Sequence, residues 1–361
     1  MRVAVLQIRP RLCWSRTEFE SEIDSIVGSV VAEHDPDLVV FPECMGLWLM
    51  GMEATTLWRR IWSWFLPGHS IEAQRVQACI TKEWDEAEYY EMAVNLQFSR
   101  PPKRTVAASS SGGLLSQISE YSMLSVSASG TGRSRFAETF RRGAEWLMNR
   151  LPFRFLAKRL RSKDELEAYQ DGFSAAARKH EVYVQAGSLF VMEERGVKNQ
   201  AYVYGPNGEL ITVQEKIHPI PFEIMLGILP GSGLSTFEIA GVTCGVAICY
   251  DVNFPNDHVQ RLADAGCRFL CCPSGGIVPT HLWKWDFEKD IKEATWIRSQ
   301  ESDVWIGRSY NAGDLIEHVL MFQGIASITA PTDDTDDGSG IVGIVPEDHL
   351  VKEHTLVCDV T

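Results

Sequence analysis

The chain has no long hydrophobic run. Nothing in it approaches the ~20 consecutive apolar residues that a membrane-spanning helix needs. It has no excess of basic charge: 34 Lys and Arg stand against 48 Asp and Glu, for a net charge of −14. Binding a phosphate backbone needs a dominant basic face, so nucleic acid is not the expected partner. It has no Cys-x-x-Cys pair, and its nine histidines do not gather near cysteine, which argues against a zinc site or any other bound metal. The nine cysteines (positions 13, 44, 79, 244, 249, 267, 271, 272 and 358) form no disulfide framework, and several lie inside apolar runs. Reduced thiols in a reducing, cytoplasmic setting are the expectation. Met1-Arg2 runs at once into Val3–Gln7, which is too short for a signal-peptide core.

What is present is ordinary globular material: 361 residues, 45% hydrophobic and 23% charged. Short apolar runs alternate with helical periodicity. Val3–Gln7 reads as a strand. Phe19, Ile23, Ile26, Val27 and Val30 share a helix face between Thr17 and Glu33. Asp37–Pro42 is a second buried strand. After about Asp164 the pattern resumes, with a helix closing at Phe173–His180 and a strand at Val182–Val191. Asn199–Tyr204 and Leu210–Gln214 flank Pro206-Asn207-Gly208, a hairpin turn signal. Val242–Ile248, Arg268–Cys272 and Val304–Arg308 read as strands, and Pro255–Ala265 and Trp283–Ser299 as helices. Short strands follow near Gly324–Thr329, Gly340–Val345 and Thr355–Asp359. The alternation predicts an α/β fold.

Three strand ends carry groups that could react. Gly245–Cys249 delivers a cysteine to the C-terminal end of a buried strand, where α/β sheets place their chemistry. Val39–Glu43 delivers a carboxylate, and Gln214-Glu215-Lys216 delivers a lysine. Each alone reads more simply as core filler or surface charge. Together they are a nucleophile, a base and a cation, the set that amide hydrolysis through a thioester requires.

These residues stand in an ordered series: Val5-Leu6-Gln7, Phe41-Pro42-Glu43, Glu215-Lys216-Ile217-His218, Pro230-Gly231, and Cys249-Tyr250-Asp251 with Phe254-Pro255. Pro273-Ser274, Arg298-Ser299-Gln300-Glu301, and Gly324 with Ser327 follow. In this series the chain resembles the nitrilase, or carbon–nitrogen hydrolase, superfamily over residues 1–50 and roughly 165–361. The resemblance implies a four-layer α-β-β-α sandwich and a Glu-Lys-Cys triad on Glu43, Lys216 and Cys249, with no cofactor. Glu43 would take the thiol proton and Lys216 would stabilise the oxyanion with the Tyr250 backbone N–H. Glu223 and Ser274 would help position the substrate. His218 is a rival base to Glu43, and Arg298 with Glu301 is expected as a buried structural pair. Tyr250 after the cysteine looks more like an amidase than a nitrile hydrolase. Asn253 stands where many family amidases carry arginine. The reading is a cysteine-dependent amidase acting on a small-molecule amide. The rivals are an acyltransferase or nitrile hydrolase with the same triad, and a non-catalytic binding protein that kept the fold. The resemblance also implies a homodimer or larger assembly.

Residues 52–163 break the rhythm and are expected to be an insertion within a single domain spanning 1–361. The insertion has seventeen basic and ten acidic residues, leaving −21 for the remainder. Residues 133–163 alone carry ten basic and two acidic residues, interleaved with Phe136, Phe140, Trp146 and Leu147. The preferred reading packs this amphipathic face on the core. The alternative is peripheral contact with an anionic membrane. Trp58, Trp62 and Trp64 pack inward or wall a substrate pocket.

Overall fold

The first strand, β1 (Arg2–Ile8), sets the plan of the fold. Side chains alternate across a strand, and β1 is apolar at nearly every position. Val3 and Val5 therefore enter one core, and Ala4, Leu6 and Ile8 enter another. The computed structural model describes residues 1–51, 163–193, 196–220, 223, 228–254, 257–278, 291–316 and 320–360. The expected insertion lies outside the described residues except for Lys163, and so do its tryptophan cluster and the basic run.

On one side β1 pairs in parallel with β2 (Leu38–Val40), which pairs in parallel with β3 (Tyr183–Glu193). The antiparallel strands β4 (Gly196–Tyr204) and β5 (Leu210–Glu215) follow. On its other side β1 forks. Residues 2–7 pair antiparallel with β15 (His354–Asp359), while Gln7 and Ile8 pair in parallel with β10 (Trp305–Asn311). From β10 the sheet runs in parallel through β8 (Phe269–Ser274) to β7 (Val242–Val246), and then to antiparallel β6 (Thr236–Ile239). β13 (Ser327–Thr329) and β14 (Ile341–Ile344) extend it from β10. A small separate sheet holds β9 (Ile277–Val278), β11 (Gly313–Ile316) and β12 (Leu320–Phe322).

The fork turns one twelve-stranded sheet into two facing layers. Val5, Val40, Val203, Val246, Phe269 and Trp305 fill the space between them. Helices α1 (Arg16–His34) and α2 (Lys163–His180) cover one outer face, where Phe19, Tyr169 and Phe173 pack on Phe41 and Leu6. Helix α3 (His258–Asp264) and the turn 291–296 leading into α4 (Ile297–Ser302) cover the other, with Val259 and Leu262 against Leu270 and Ile306. This is the α-β-β-α sandwich that the resemblance implies.

Local chemistry sets the boundaries. The Ser15 hydroxyl accepts the Glu18 N–H and starts α1 one residue before the expected position, and Asp35 ends it in the left-handed region at φ 47°. β10 reaches Asn311, three residues beyond the periodic signal, because its last residues are polar and buried at the site. The edge strand β6 was not foreseen, although Phe237 and Ile239 are buried and Thr236 and Glu238 exposed in strict alternation. The helix expected from Trp283 is described only from Ile291. No helix among the described residues is long and apolar enough to cross a membrane.

Candidate active site

Four strand ends meet at one edge of the sandwich. β2 leads into Phe41-Pro42-Glu43, and the backbone groups of Phe41 and Glu43 are held on both sides. The Phe41 N–H donates to the Gln185 carbonyl at 2.9 Å, and the Phe41 carbonyl accepts Ser309 Oγ at 2.9 Å. The Glu43 N–H reaches the Ser274 carbonyl at 3.3 Å, and the Glu43 carbonyl accepts Asn311 Nδ2 at 2.6 Å. Gly187 is required beside this turn. Its φ is 74°, and a Cβ there would lie 2.0 Å from the Pro42 carbonyl oxygen. The carboxylate of Glu43 is therefore presented from a fixed backbone, 4% exposed.

Lys216 follows β5 and is 2% exposed. Its Nζ lies 2.7 Å from Glu43 Oε1 and 2.8 Å from Glu223 Oε2. Asn199 on β4 bridges the same two carboxylates from the other side. Its Nδ2 donates to Glu43 Oε1 at 2.9 Å and to Glu223 Oε1 at 3.0 Å. The Ile220 N–H completes Glu223 at 2.8 Å. Burial alone would lower the Lys216 ammonium, but Glu223 and then Glu43 outweigh it and hold lysine well above its usual range. Burial pushes the Glu223 carboxyl up; Lys216 pulls it back and Glu43 adds to the rise.

Cys249 sits just past β7, where the 3-10 turn Cys249–Asn253 begins. Its φ is 49°, a left-handed conformation that a side chain seldom adopts and that surrounding structure must hold. Asp251 holds it, its Oδ2 accepting the Ile248 N–H at 3.0 Å. Glu43, Lys216 and Arg308 all lie close enough for their charges to act on the Cys249 thiol. Burial and then Glu43 push that thiol well up, against Lys216 and Arg308. Burial thus disfavours the thiolate, and the sulfur needs a base to become a nucleophile.

The sequence-predicted Glu43, Lys216, Glu223 and Cys249 therefore lie together. Ser274 is fully buried. Its Oγ accepts Arg308 Nε at 3.0 Å and its carbonyl holds Glu43, so it braces the site from behind. Tyr250 stands beside Phe254, edge to face at 5.2 Å. His218 turns both ring nitrogens to carboxylates, Nδ1 to Asp251 at 3.1 Å and Nε2 to Asp257 at 2.9 Å. Arg298 is buried and bonded to Glu301, but Glu301 is 47% exposed, which corrects the expectation of a buried pair. Gln300 and Ser299 make the ties to the sheet instead, to the Ala330 carbonyl and to Thr329 Oγ1, both at 2.8 Å. All the described cysteines are free.

Sequence reading missed Asn199, Asn311 and Arg308. The signal for Asn199 was a lone asparagine inside a strand pattern, where turn-forming residues are out of place. Asn199 is 1% exposed, and its Oδ1 has no hydrogen-bond partner among the described residues. Its orientation is set by the two carboxylates, since turning the amide round would set oxygen against oxygen. Asn199→Ala is expected to destabilise the protein by about 1–3 kcal/mol, because two buried carboxylates each lose a donor. Denaturant unfolding checks this; an unchanged midpoint contradicts it.

The chain is similar to known proteins in sequence and in fold. A family model described as carbon-nitrogen hydrolase matches residues 136–332, more than half of the chain, including Lys216, Glu223 and Cys249. An omega-amidase of Danio rerio is 34% identical over 123 residues, 31% of this chain and 43% of that protein. A 2-oxoglutaramate amidase of Bacillus subtilis is 37% identical over 120 residues, 31% of this chain and 45% of that protein. The chain thus aligns with less than half the length of these curated relatives. In structure it is similar to an amidase of Nesterenkonia AN1 from the nitrilase superfamily, with a TM-score of 0.56 at 14% identity over 99% of this chain and 89% of that one.

Proposed function

The chain belongs to the carbon–nitrogen hydrolase family, and from that membership and the site's geometry we propose that it hydrolyses a small-molecule amide through a thioester on Cys249. The observation that carries this reading is Lys216 bridging two buried carboxylates, Glu43 at 2.7 Å and Glu223 at 2.8 Å, beside a cysteine whose φ is 49°.

Glu43 takes the proton from Cys249 Sγ as the sulfur attacks the carbonyl carbon. The carbonyl oxygen becomes an oxyanion, stabilised by Lys216 Nζ and the Tyr250 backbone N–H. The C–N bond then breaks, and Glu43 returns its proton to the departing nitrogen, releasing ammonia or an amine. Water enters, gives its proton to Glu43, and attacks the thioester carbon. The acid leaves and Sγ recovers the proton. Glu223 holds Lys216 from the second side, so the ammonium stays charged and aimed while Glu43 cycles between protonated and free. Ser274 acts on this site by fixing the Glu43 backbone and Arg308.

The relatives make 2-oxoglutaramate the first compound to assay. A panel adding simple amides, an N-substituted amide and a nitrile should release ammonia from amides and spare the nitrile. Added hydroxylamine reports on the thioester: a hydroxamate formed at the expense of acid shows interception of an acyl-enzyme. Turnover of the nitrile alone, or of nothing, contradicts the amidase reading.

A further inference from the structure

Two of the motifs meet at a point the amidase reading does not use. Lys-x-His and Cys-x-Asp lie 33 residues apart in sequence from His218 to Asp251, yet Asp251 joins them directly. Its carboxylate is fully buried and accepts three backbone N–H groups. Oδ2 takes Ile248 at 3.0 Å and Ile217 at 3.3 Å, and Oδ1 takes His218 at 2.7 Å. One carboxylate thus grips the residue before the cysteine and the two after the lysine. The His218 ring closes the grip. Nδ1 meets Asp251 and Nε2 meets Asp257, just ahead of α3, while the ring stacks on Phe254 at 3.9 Å and 17°.

We propose that Asp251, His218 and Asp257 form a proton-dependent clamp that sets the position of Lys216 relative to Cys249. They are positioning residues, acting through the backbone on either side of the reacting groups. The inference rests on the reading that Lys216 and Cys249 work on one substrate.

The chemistry requires a charged ring. Each carboxylate is an acceptor, so both ring nitrogens must donate, and only imidazolium has two N–H groups. Among the described residues, the charged groups facing the ring are Asp251 from the cysteine turn and Asp257 from the start of α3. Arg261 lies 4.0 Å from Asp257 on its far side. Burial works against the charge, but the two aspartates prevail and raise His218 above its ordinary value. As pH rises through that folded value the ring keeps one N–H, and one of the two carboxylates loses its donor. Lys216 then sits less firmly, and small misplacement of a reacting group is costly in rate.

The test follows kcat and KM of the full chain against pH. In Asp257→Asn one of the two charges that hold the proton is gone, so the alkaline limb of kcat moves to lower pH. Between the variant's midpoint and the wild-type one kcat falls by roughly tenfold relative to wild type, while KM stays within about twofold and the two profiles meet at the acid end and again at the alkaline end. Asp257→Glu restores the limb, which a merely structural loss would not allow. In His218→Gln the ring proton is absent, so kcat is lowered throughout and the limb disappears. An Asp257→Asn limb that coincides with wild type, or a wild-type limb in His218→Gln, overturns the clamp. Wild-type protein that turns over no amide overturns the amidase reading instead. The His218 ring titration by NMR then decides the clamp without turnover: a midpoint unmoved by Asp257→Asn overturns it.

Discussion

Cys249→Ala is expected to lower kcat for an accepted amide by about 10⁴-fold or more, with the fold retained. Losing the nucleophile of a coupled catalytic group removes nearly the whole contribution of that group. The fold should survive because Cys249 is half-buried and its turn is held by the Asp251 carboxylate, not by its own side chain. Alanine at φ 49° carries the same backbone strain as cysteine, so the change removes chemistry and leaves geometry. Cys44 and Cys272 are the thiols most able to imitate a residual activity, since both interact electrostatically with the site carboxylates. Both are buried, and Cys272 is pushed up to about 11, chiefly by burial. Neither is expected to substitute. Steady-state kinetics beside a far-UV and near-UV spectrum decides the matter. Unchanged turnover in a folded variant contradicts the assignment.

Lys216→Met is expected to remove activity and also to destabilise the protein by about 3–5 kcal/mol at neutral pH. Lys216 is the cation between two buried carboxylates, and breaking a buried pair from one side leaves charge with no counterpart. The sign of its pH dependence follows. In the variant Glu223 loses the ammonium that pulled its carboxyl down, so its folded pKa, already raised by burial, rises further. A group raised in the folded state contributes stability below its unfolded pKa and loses it as pH rises through the folded one. The variant should therefore recover stability toward acid relative to wild type. Urea unfolding at several pH values measures this. A penalty that does not shrink toward acid contradicts a carboxylate-bridging lysine. In Glu223→Gln the ammonium keeps Glu43 and gains a neutral oxygen, so a smaller loss of stability is the natural contrast.

Much of this was legible in the sequence, for identifiable reasons. Strands apolar on both faces, such as Val3–Ile8 and Phe269–Cys272, announce themselves because each residue enters a core. Glu43, Lys216 and Cys249 were legible because they are chemically conspicuous and follow strand ends, and Glu223 only through the family resemblance, in the loop after the lysine. What hid was the neutral scaffold. Asn199 and Asn311 fix Glu43 through one side-chain bond and one backbone bond, and neither sits in a motif. Arg308 looked like the last residue of an apolar strand, and only the pairing of β10 with β8 brings it to Ser274. His218 was legible as a titratable group near the lysine, but its two carboxylate partners come from the far side of the cysteine turn and from α3. The Arg298–Glu301 expectation, which came from the family resemblance, failed because a matching motif fixes neighbours along the chain and says nothing of depth. Arg298 points inward while Glu301, three residues on, faces solvent.

The central claim is a covalent acyl group on Cys249. Wild-type protein mixed with a turned-over amide, quenched in acid within the first turnovers and mapped by peptide mass, tests it most directly. The account predicts an increment equal to the acyl group on the peptide carrying Cys249, lost on treatment with hydroxylamine. Hydrolysis with no adduct at any time point, or an adduct on the peptides of Cys44 or Cys272, would contradict it.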